Sequence, residues 1–130
     1  MNEKIGYSQY SSIKEKVWVS CPKRIRVYFE GQVIADSRHV KLLRQIPRQY
    51  YFPPEDVVME YLKEEEGGER GKYGEKHSWT ITAGGREEKR AAWHYTDQPK
   101  NAPDMTGYLG FDWEKMDRWF EEDEPISVEP

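Results

Sequence analysis

Aromatic side chains are the residues of this sequence whose types and spacing best suit ligand binding. Trp79 and Trp93 lie on the two arms of a predicted hairpin that turns at Gly84-Gly85, and Tyr95 flanks Trp93. Aromatic walls bind planar ligands by stacking and cationic ligands by cation–π attraction. With Tyr51 expected to face them, these rings predict an aromatic-lined cleft.

Asp36 and Ser37 are the polar candidates for the same cleft. His39 follows two residues later, but a catalytic triad is defined by geometry and not by adjacency in the chain. An Asp-Ser pair at a strand end is also a common turn or cap, because both side chains bond nearby backbone N–H groups. We therefore predict hydrogen bonds from this pair and no covalent catalysis.

Metal and phosphate sites lack their usual signals. His39, His77 and His94 do not have the spacing of a helical His pair, and Cys21 is the single cysteine, so a Cys-based zinc site cannot form within one chain. No glycine-rich phosphate-binding motif precedes an apolar helix. The sequence predicts no metal and no cofactor.

Composition sets the fold class. The charged residues are 34% and the mean hydropathy is -1.02, values that lean toward disorder, yet the 130 residues include 5 Trp, 9 Tyr and 4 Phe. These 18 aromatic residues nearly equal in number the 19 Ile, Leu and Val residues, which favours one mainly β domain whose core is filled by rings. A ring can therefore bind a ligand only if it is not buried in that core.

Charge and hydropathy exclude several partners. The net charge is -4 and the isoelectric point about 5.5, unlike the basic stripe of a nucleic-acid-binding domain. No apolar run is long enough to span a membrane, and Met1 to Tyr10 lacks the apolar region of a signal peptide. The single cysteine forms no disulfide within the chain, so we expect a cytoplasmic protein.

Predicted strands must position the candidate residues. Alternation over residues 24–36 predicts one hairpin and residues 77–95 a second, while residues 49–52 predict a short strand closed by Pro53. A short helix is expected after Pro54, a mobile charged loop over 64–74, and a third strand pair from 108–113 and 116–121. Residues 1–22 are predicted to be an N-terminal extension and 23–130 a single domain.

A resemblance adds to this interpretation. It rests on short segments in a set order: Arg24-Ile-Arg26 with Gly31, Ile34-Ala-Asp-Ser37, Tyr51-Phe-Pro53 with Asp56-Val57, Gly74 before Ser78-Trp79, Ala91-Ala-Trp-His-Tyr95, Gly107-Tyr108 with Phe111, and Asp117-Arg-Trp-Phe-Glu-Glu-Asp-Glu124. Over about residues 24–124 this series resembles the domain-of-unknown-function 427 family, sometimes labelled as nucleotidyltransferases.

The resemblance implies a β-tent fold, in which two antiparallel sheets pack at a steep angle with one or two short helices. It implies likeness to the ligand-binding domain of cereblon and to Yippee-like proteins, which hold zinc with paired Cys-x-x-Cys motifs absent here. Members of the family commonly carry a Cys-Pro-Tyr-Lys-Gly-like segment where this chain has Arg70-Gly-Lys-Tyr-Gly74. We expect no activity that depends on that cysteine.

Three functional hypotheses follow. The leading one is a small polar or planar ligand bound in a cleft between the sheets, with contacts from Asp36, Ser37, Tyr51, Tyr73, Trp79, Trp93 and Tyr95. The second is an enzyme acting on nucleotides, with Asp36 and His94 as general acid and base. The third is a protein-interaction module, in which exposed aromatic strands or the acidic 121–124 segment meet a partner or form a homodimer.

Overall fold

The computed structural model describes residues 17–45 and 48–127, in which β-strands dominate. The strands are β1 (Trp18–Ser20), β2 (Ile25–Phe29), β3 (Gln32–Ser37), β4 (Lys41–Leu43), β5 (Gln49–Phe52), β6 (Leu62–Glu64), β7 (Glu69–Gly71), β8 (Gly74–Ala83), β9 (Arg86–Thr96), β10 (Leu109–Phe111), β11 (Arg118–Glu121) and β12 (Glu124–Ile126). The proposed extension, residues 1–22, lies mostly outside the described residues, although β1 belongs to a sheet.

Two antiparallel sheets build the domain. The first sheet has the order β1-β4-β5-β10-β9-β8-β6, with β7 also paired to β8, and the second has the order β12-β11-β2-β3. This architecture confirms the predicted mainly β, two-sheet fold. The expected helical segment after Pro54 consists of two short 3-10 turns, Pro54–Asp56 and Met59–Tyr61.

Both predicted hairpins are confirmed, and their turns explain them. The β2–β3 hairpin turns at Glu30 and Gly31, and the β8–β9 hairpin turns at Gly84 and Gly85, all with positive φ. Two consecutive residues with positive φ are what a two-residue turn needs to match the twist of the strands. A two-residue glycine turn therefore joins the longest strands of the first sheet.

The core lies between the two sheets and contains many rings, as the composition predicts. Phe52 and Phe111 of the first sheet meet edge to face with 5.5 Å between ring centroids, and Phe52 also packs against Trp119 of the second sheet. Trp113 stacks on Trp119 at 4.4 Å. Alternating burial along β2 shows that every second residue of that strand faces this core.

The predicted third strand pair is wrong. Strand β10 lies between β5 and β9 in the first sheet, whereas β11 pairs with β2 and β12 in the second. Asp112 accepts a hydrogen bond from the backbone of Glu114 at 3.1 Å and so caps the short turn Trp113–Lys115, after which the chain continues in the other sheet. The polar bend is a crossing between sheets and not a hairpin.

The charged 64–74 segment also differs from the predicted loop. It includes the end of β6 and all of β7, which pair with successive parts of β8. Strand β9 pairs with one edge of the long β8 strand, and the two short strands pair with the other edge. They satisfy backbone groups of β8 that would otherwise have no partner. In the described part of the chain, no helix has the length and apolar character needed to cross a membrane.

Candidate functional site

A second group of rings covers the face of the first sheet that is turned away from the core. We call it the outer aromatic cluster. Its buried members are Leu43, Tyr51, Trp93 and Met105, and its partly buried members are Val17, Trp18, Tyr73, Tyr95 and Tyr108. Four residues predicted to bind a ligand, Tyr51, Tyr73, Trp93 and Tyr95, are therefore brought together.

A glycine between two rings sets the centre of this cluster. Gly110 pairs with Tyr51 on one side and with Trp93 on the other, so the three residues share one face. A Cβ at Gly110 would lie 2.9 Å from ring atoms of both neighbours. The missing side chain lets Nε1 of Trp93 donate a 3.0 Å hydrogen bond to the Tyr51 hydroxyl. Burial raises the pKa of that hydroxyl far above its ordinary value, so Tyr51 is neutral.

Tyr73 and Tyr95 form a partly exposed ring pair in the cluster. Their rings meet edge to face with centroids 5.7 Å apart, and both side chains are half-buried. The Tyr73 hydroxyl donates to Oε1 of Gln45, which fixes that ring from the far side. Burial raises the pKa of Tyr95. Part of the surface of this pair is still exposed to solvent.

The loop between β9 and β10 closes the other side. Its Met105 side chain is fully buried against the cluster. Gln98 holds the loop together, because its Nε2 donates to the carbonyl of Pro103 at 3.0 Å and its Oε1 accepts from the N–H of Met105 at 2.8 Å. The rings of Trp18 and Tyr108, whose centroids lie 5.4 Å apart, also pack against the cluster.

Lys76 joins the cluster to a surface cleft. Its register partner is Tyr95, and its Nζ lies 4.6 Å from the ring centroid of Trp93, in cation–π distance. The same lysine lines a cleft of about 230 Å³, together with Ser78, Arg90 and the 65–69 segment. A polar group bound in this cleft would lie beside the aromatic cluster.

Trp79 lies on the opposite face of the hairpin from Trp93. It pairs with Ala92, packs against the core and donates from Nε1 to Nδ1 of His94 at 2.9 Å. An indole N–H only donates, so the neutral His94 ring carries its proton on Nε2. Burial, together with the stacked His77 ring at 5.0 Å, lowers the pKa of His94, while Glu64 opposes that shift. Trp79 thus anchors a histidine pair outside the cluster.

Asp36 and Ser37 lie in the second sheet, on opposite faces of β3. Asp36 forms a two-bond ion pair with Arg24, at 2.8 and 2.6 Å, which lowers the pKa of the carboxyl group. The buried hydroxyl of Ser37 donates to Oδ2 of Asp56 at 2.6 Å and accepts from the N–H of His39 at 2.9 Å. Local partners thus occupy both side chains, and neither contacts the outer aromatic cluster.

The enzyme hypothesis needs Asp36 and His94 to converge, and their contacts do not connect them. Asp36 is bound by Arg24 in the second sheet, whereas His94 is bound by Trp79 in the first. Among residues 17–45 and 48–127, no group of three or more His, Cys, Asp or Glu side chains is placed to hold a metal ion. In the part of the chain that the structure describes, Asp36 and His94 thus have different partners, and no hydrogen bond or ion pair joins them.

Trp18, Met105, Tyr108 and Lys76 belong to the site but were not predicted from the sequence. Trp18 lies in the proposed extension, and Met105 and Tyr108 lie in a loop, where periodicity carries no signal. The position of Lys76 could have been predicted from alternation, which places residues 76 and 78 on one face of β8. Their register partners on β9 are Tyr95 and Trp93, so this is the face of the aromatic cluster.

Comparison with known proteins places the chain in a family. A search of curated proteins finds no matching relative. The sequence profile described as "Domain of unknown function (DUF427)", whose short name carries a nucleotidyltransferase label, matches residues 18–122. This match includes β1 to β11, and with them both sheets and the strands of the outer aromatic cluster. The chain belongs to the domain-of-unknown-function 427 family.

Proposed function

We propose that this domain binds a small planar ligand at the outer aromatic cluster, against the rings of Tyr73 and Tyr95 and beside Lys76. The observation that carries the proposal is the half-buried Tyr73–Tyr95 pair, which leaves ring surface open next to the 230 Å³ cleft that Lys76 lines. Stacking on such rings is favourable and tolerates different planar groups. The site lies outside the sheet interface that the sequence suggested.

Fixed geometry supports this proposal. Tyr73 is held by its bond to Gln45, and the rings behind it are held by the bond between Trp93 and Tyr51. Rings that are already immobile lose little conformational entropy when a ligand binds. The cluster is therefore preorganised for a flat partner.

The two other hypotheses have less support. Catalysis on nucleotides lacks a convergent acid and base, because Asp36 and His94 are engaged in different sheets. A protein-interaction surface has one favourable feature, the exposed side of the second sheet, where Arg26 lies 4.9 Å from the Phe120 ring. Cytoplasmic location and a homodimer remain predictions.

The test is a thermal-shift screen of planar metabolites on the wild type and on Tyr95→Leu. Tyr61→Leu is the matched control, because Tyr61 is also a partly buried tyrosine but packs against the core. We expect compounds that raise the wild-type Tm to lose affinity for Tyr95→Leu and to keep it for Tyr61→Leu, with calorimetry giving Kd on variants shown folded by circular dichroism. Hits that bind Tyr95→Leu with the same affinity as the wild type would contradict the proposal.

A further inference from the structure

Three lysines surround the outer aromatic cluster without a carboxylate partner in the described part of the chain. Lys76 lies over Trp93, and Lys72 lies with its Nζ 5.3 Å from the ring centroid of Tyr73. Lys41, the register partner of Tyr51, donates to the Ser20 hydroxyl at 3.0 Å. Their positive charge is thus directed toward rings and a hydroxyl.

The place of these three lysines distinguishes them, and not the lack of an ion pair. Lysines such as Lys63 also have no carboxylate partner among the described residues, whereas arginines such as Arg24 do. Lys41, Lys72 and Lys76 all lie beside rings of the same cluster. Glu69 is the direct register partner of Lys76 on β7, yet no ion pair joins them. The charge of Lys76 lies beside the ring of Trp93 instead.

An anion is favoured on the ring side of Lys76. The cleft on the other side is lined by Glu65, Glu66 and Glu69 as well as by Arg90, so its carboxylates outnumber its cations and it is not the place for the acidic group. On the ring side, Lys72 lies beside Tyr73 and adds a second cation to Lys76. Charge-assisted hydrogen bonds from lysine to an anion are stronger than those between neutral groups.

We propose that the ligand is a planar aromatic anion whose ring packs on Tyr73 and Tyr95 and whose acidic group binds Lys76. This inference rests on the proposed function and adds the charge of the ligand to it. A carboxylate or a phosphate attached to a flat ring has the required chemistry. A ligand with the same ring and no charge would lose only the contact with Lys76.

Four probes with the same naphthalene ring separate these possibilities: naphthoate, naphthyl phosphate, naphthamide and naphthamidinium. Calorimetry on the wild-type protein is expected to show that naphthoate or naphthyl phosphate binds at least about tenfold more tightly than the neutral amide, as a charge-assisted bond predicts. The tighter of the two anions identifies the acidic group.

Lys76→Met removes the charge and keeps an unbranched side chain over Trp93, so the ring site is preserved. We expect this variant to bind the anion and the amide equally, while Lys63→Met, which removes an exposed lysine from β6, keeps the wild-type preference. Equal binding of anion and amide by the wild type would overturn the charge inference and leave the ring site standing. Tightest binding of naphthamidinium, or a preference that survives in Lys76→Met, would also overturn it. Failure of all four probes to bind the folded protein would overturn the proposed function as well.

Discussion

The indole nitrogen of Trp93 donates a 3.0 Å hydrogen bond to the hydroxyl of Tyr51 across the strand that carries Gly110. Both side chains are buried, so neither group has water as an alternative partner. This bond connects the two central rings of the outer aromatic cluster. It makes the cluster a structural unit as well as a candidate ligand site.

Tyr51→Phe should destabilise the protein by about 1–3 kcal/mol, because it leaves the buried indole N–H of Trp93 without an acceptor. Urea unfolding followed by circular dichroism measures the change. Tyr50→Phe is the control, since Tyr50 is also buried and packs on Trp119 in the core. If the two substitutions cost the same, the bond contributes nothing specific to stability.

Gly110→Ala should cost about 1–3 kcal/mol by overpacking, because the added methyl group lies 2.9 Å from both rings in a space that is already filled. Gly71→Ala on β7 has no atom within 4 Å of its new methyl group and an ordinary φ, so it should be close to neutral. Thermal unfolding of both variants checks the difference. A neutral Gly110→Ala would mean that the two rings can separate freely.

Stability should fall as the pH decreases below about 6.5, the ordinary pKa of histidine. Burial and the stacked His77 lower the pKa of folded His94, so below that pH the unfolded chain binds more protons than the folded one, and the contribution levels off below the folded value. His94→Asn should flatten this slope because it removes the titrating imidazole. The asparagine amide oxygen can still accept the hydrogen bond from Trp79, so the variant keeps that contact. His39→Asn, at an exposed position, should keep it. Urea unfolding between pH 5 and 8 is the measurement, and an unchanged slope in His94→Asn would contradict the assignment.

Arg86→Lys should lower the Tm by several degrees, because the guanidinium joins three parts of the fold. Its Nη1 donates to Asp117 at 2.7 Å and to Glu30 at 3.1 Å, and its Nη2 donates to the carbonyl of Lys115 at 3.1 Å. The guanidinium carbon also lies 4.5 Å from the ring centroid of Phe29. Lysine cannot make these fork-shaped contacts together. Arg118→Lys is the control because Arg118 is exposed on β11. Equal Tm values for the two variants would show that the contacts of Arg86 are not stabilising.

Local patterns in the sequence were sufficient to predict the hairpins, because turn chemistry and alternation act over a few residues. The two faces of the β8–β9 hairpin could also have been separated. Counting back from a two-residue turn at Gly84-Gly85 pairs Trp79 with even-numbered positions of β9, which puts Trp93 on the other face. Treating both tryptophans as one wall overlooked this parity.

Long-range placement could not be predicted in the same way. Nothing near β10 indicates that it lies between β5 and β9, and nothing near β11 indicates β2 as its partner. Such pairings are decided by burial of whole sheets and not by neighbouring residues. The predicted role of Asp36 and Ser37 depended on this missing information, since they lie in the second sheet.

The pairing of β11 with β2 has a consequence for synthesis of the chain. One edge of β2 pairs with β3, but the other edge obtains its partner β11 only when the residues up to Glu121 have been made. Strands β8 and β9, in contrast, can pair as soon as their own hairpin is complete. Local hairpins form early and distant strand pairs late, because a long loop must close first. On the ribosome, the β2–β3 hairpin would therefore expose one strand edge and the apolar side chains of Val27 and Phe29 until almost the whole domain has emerged.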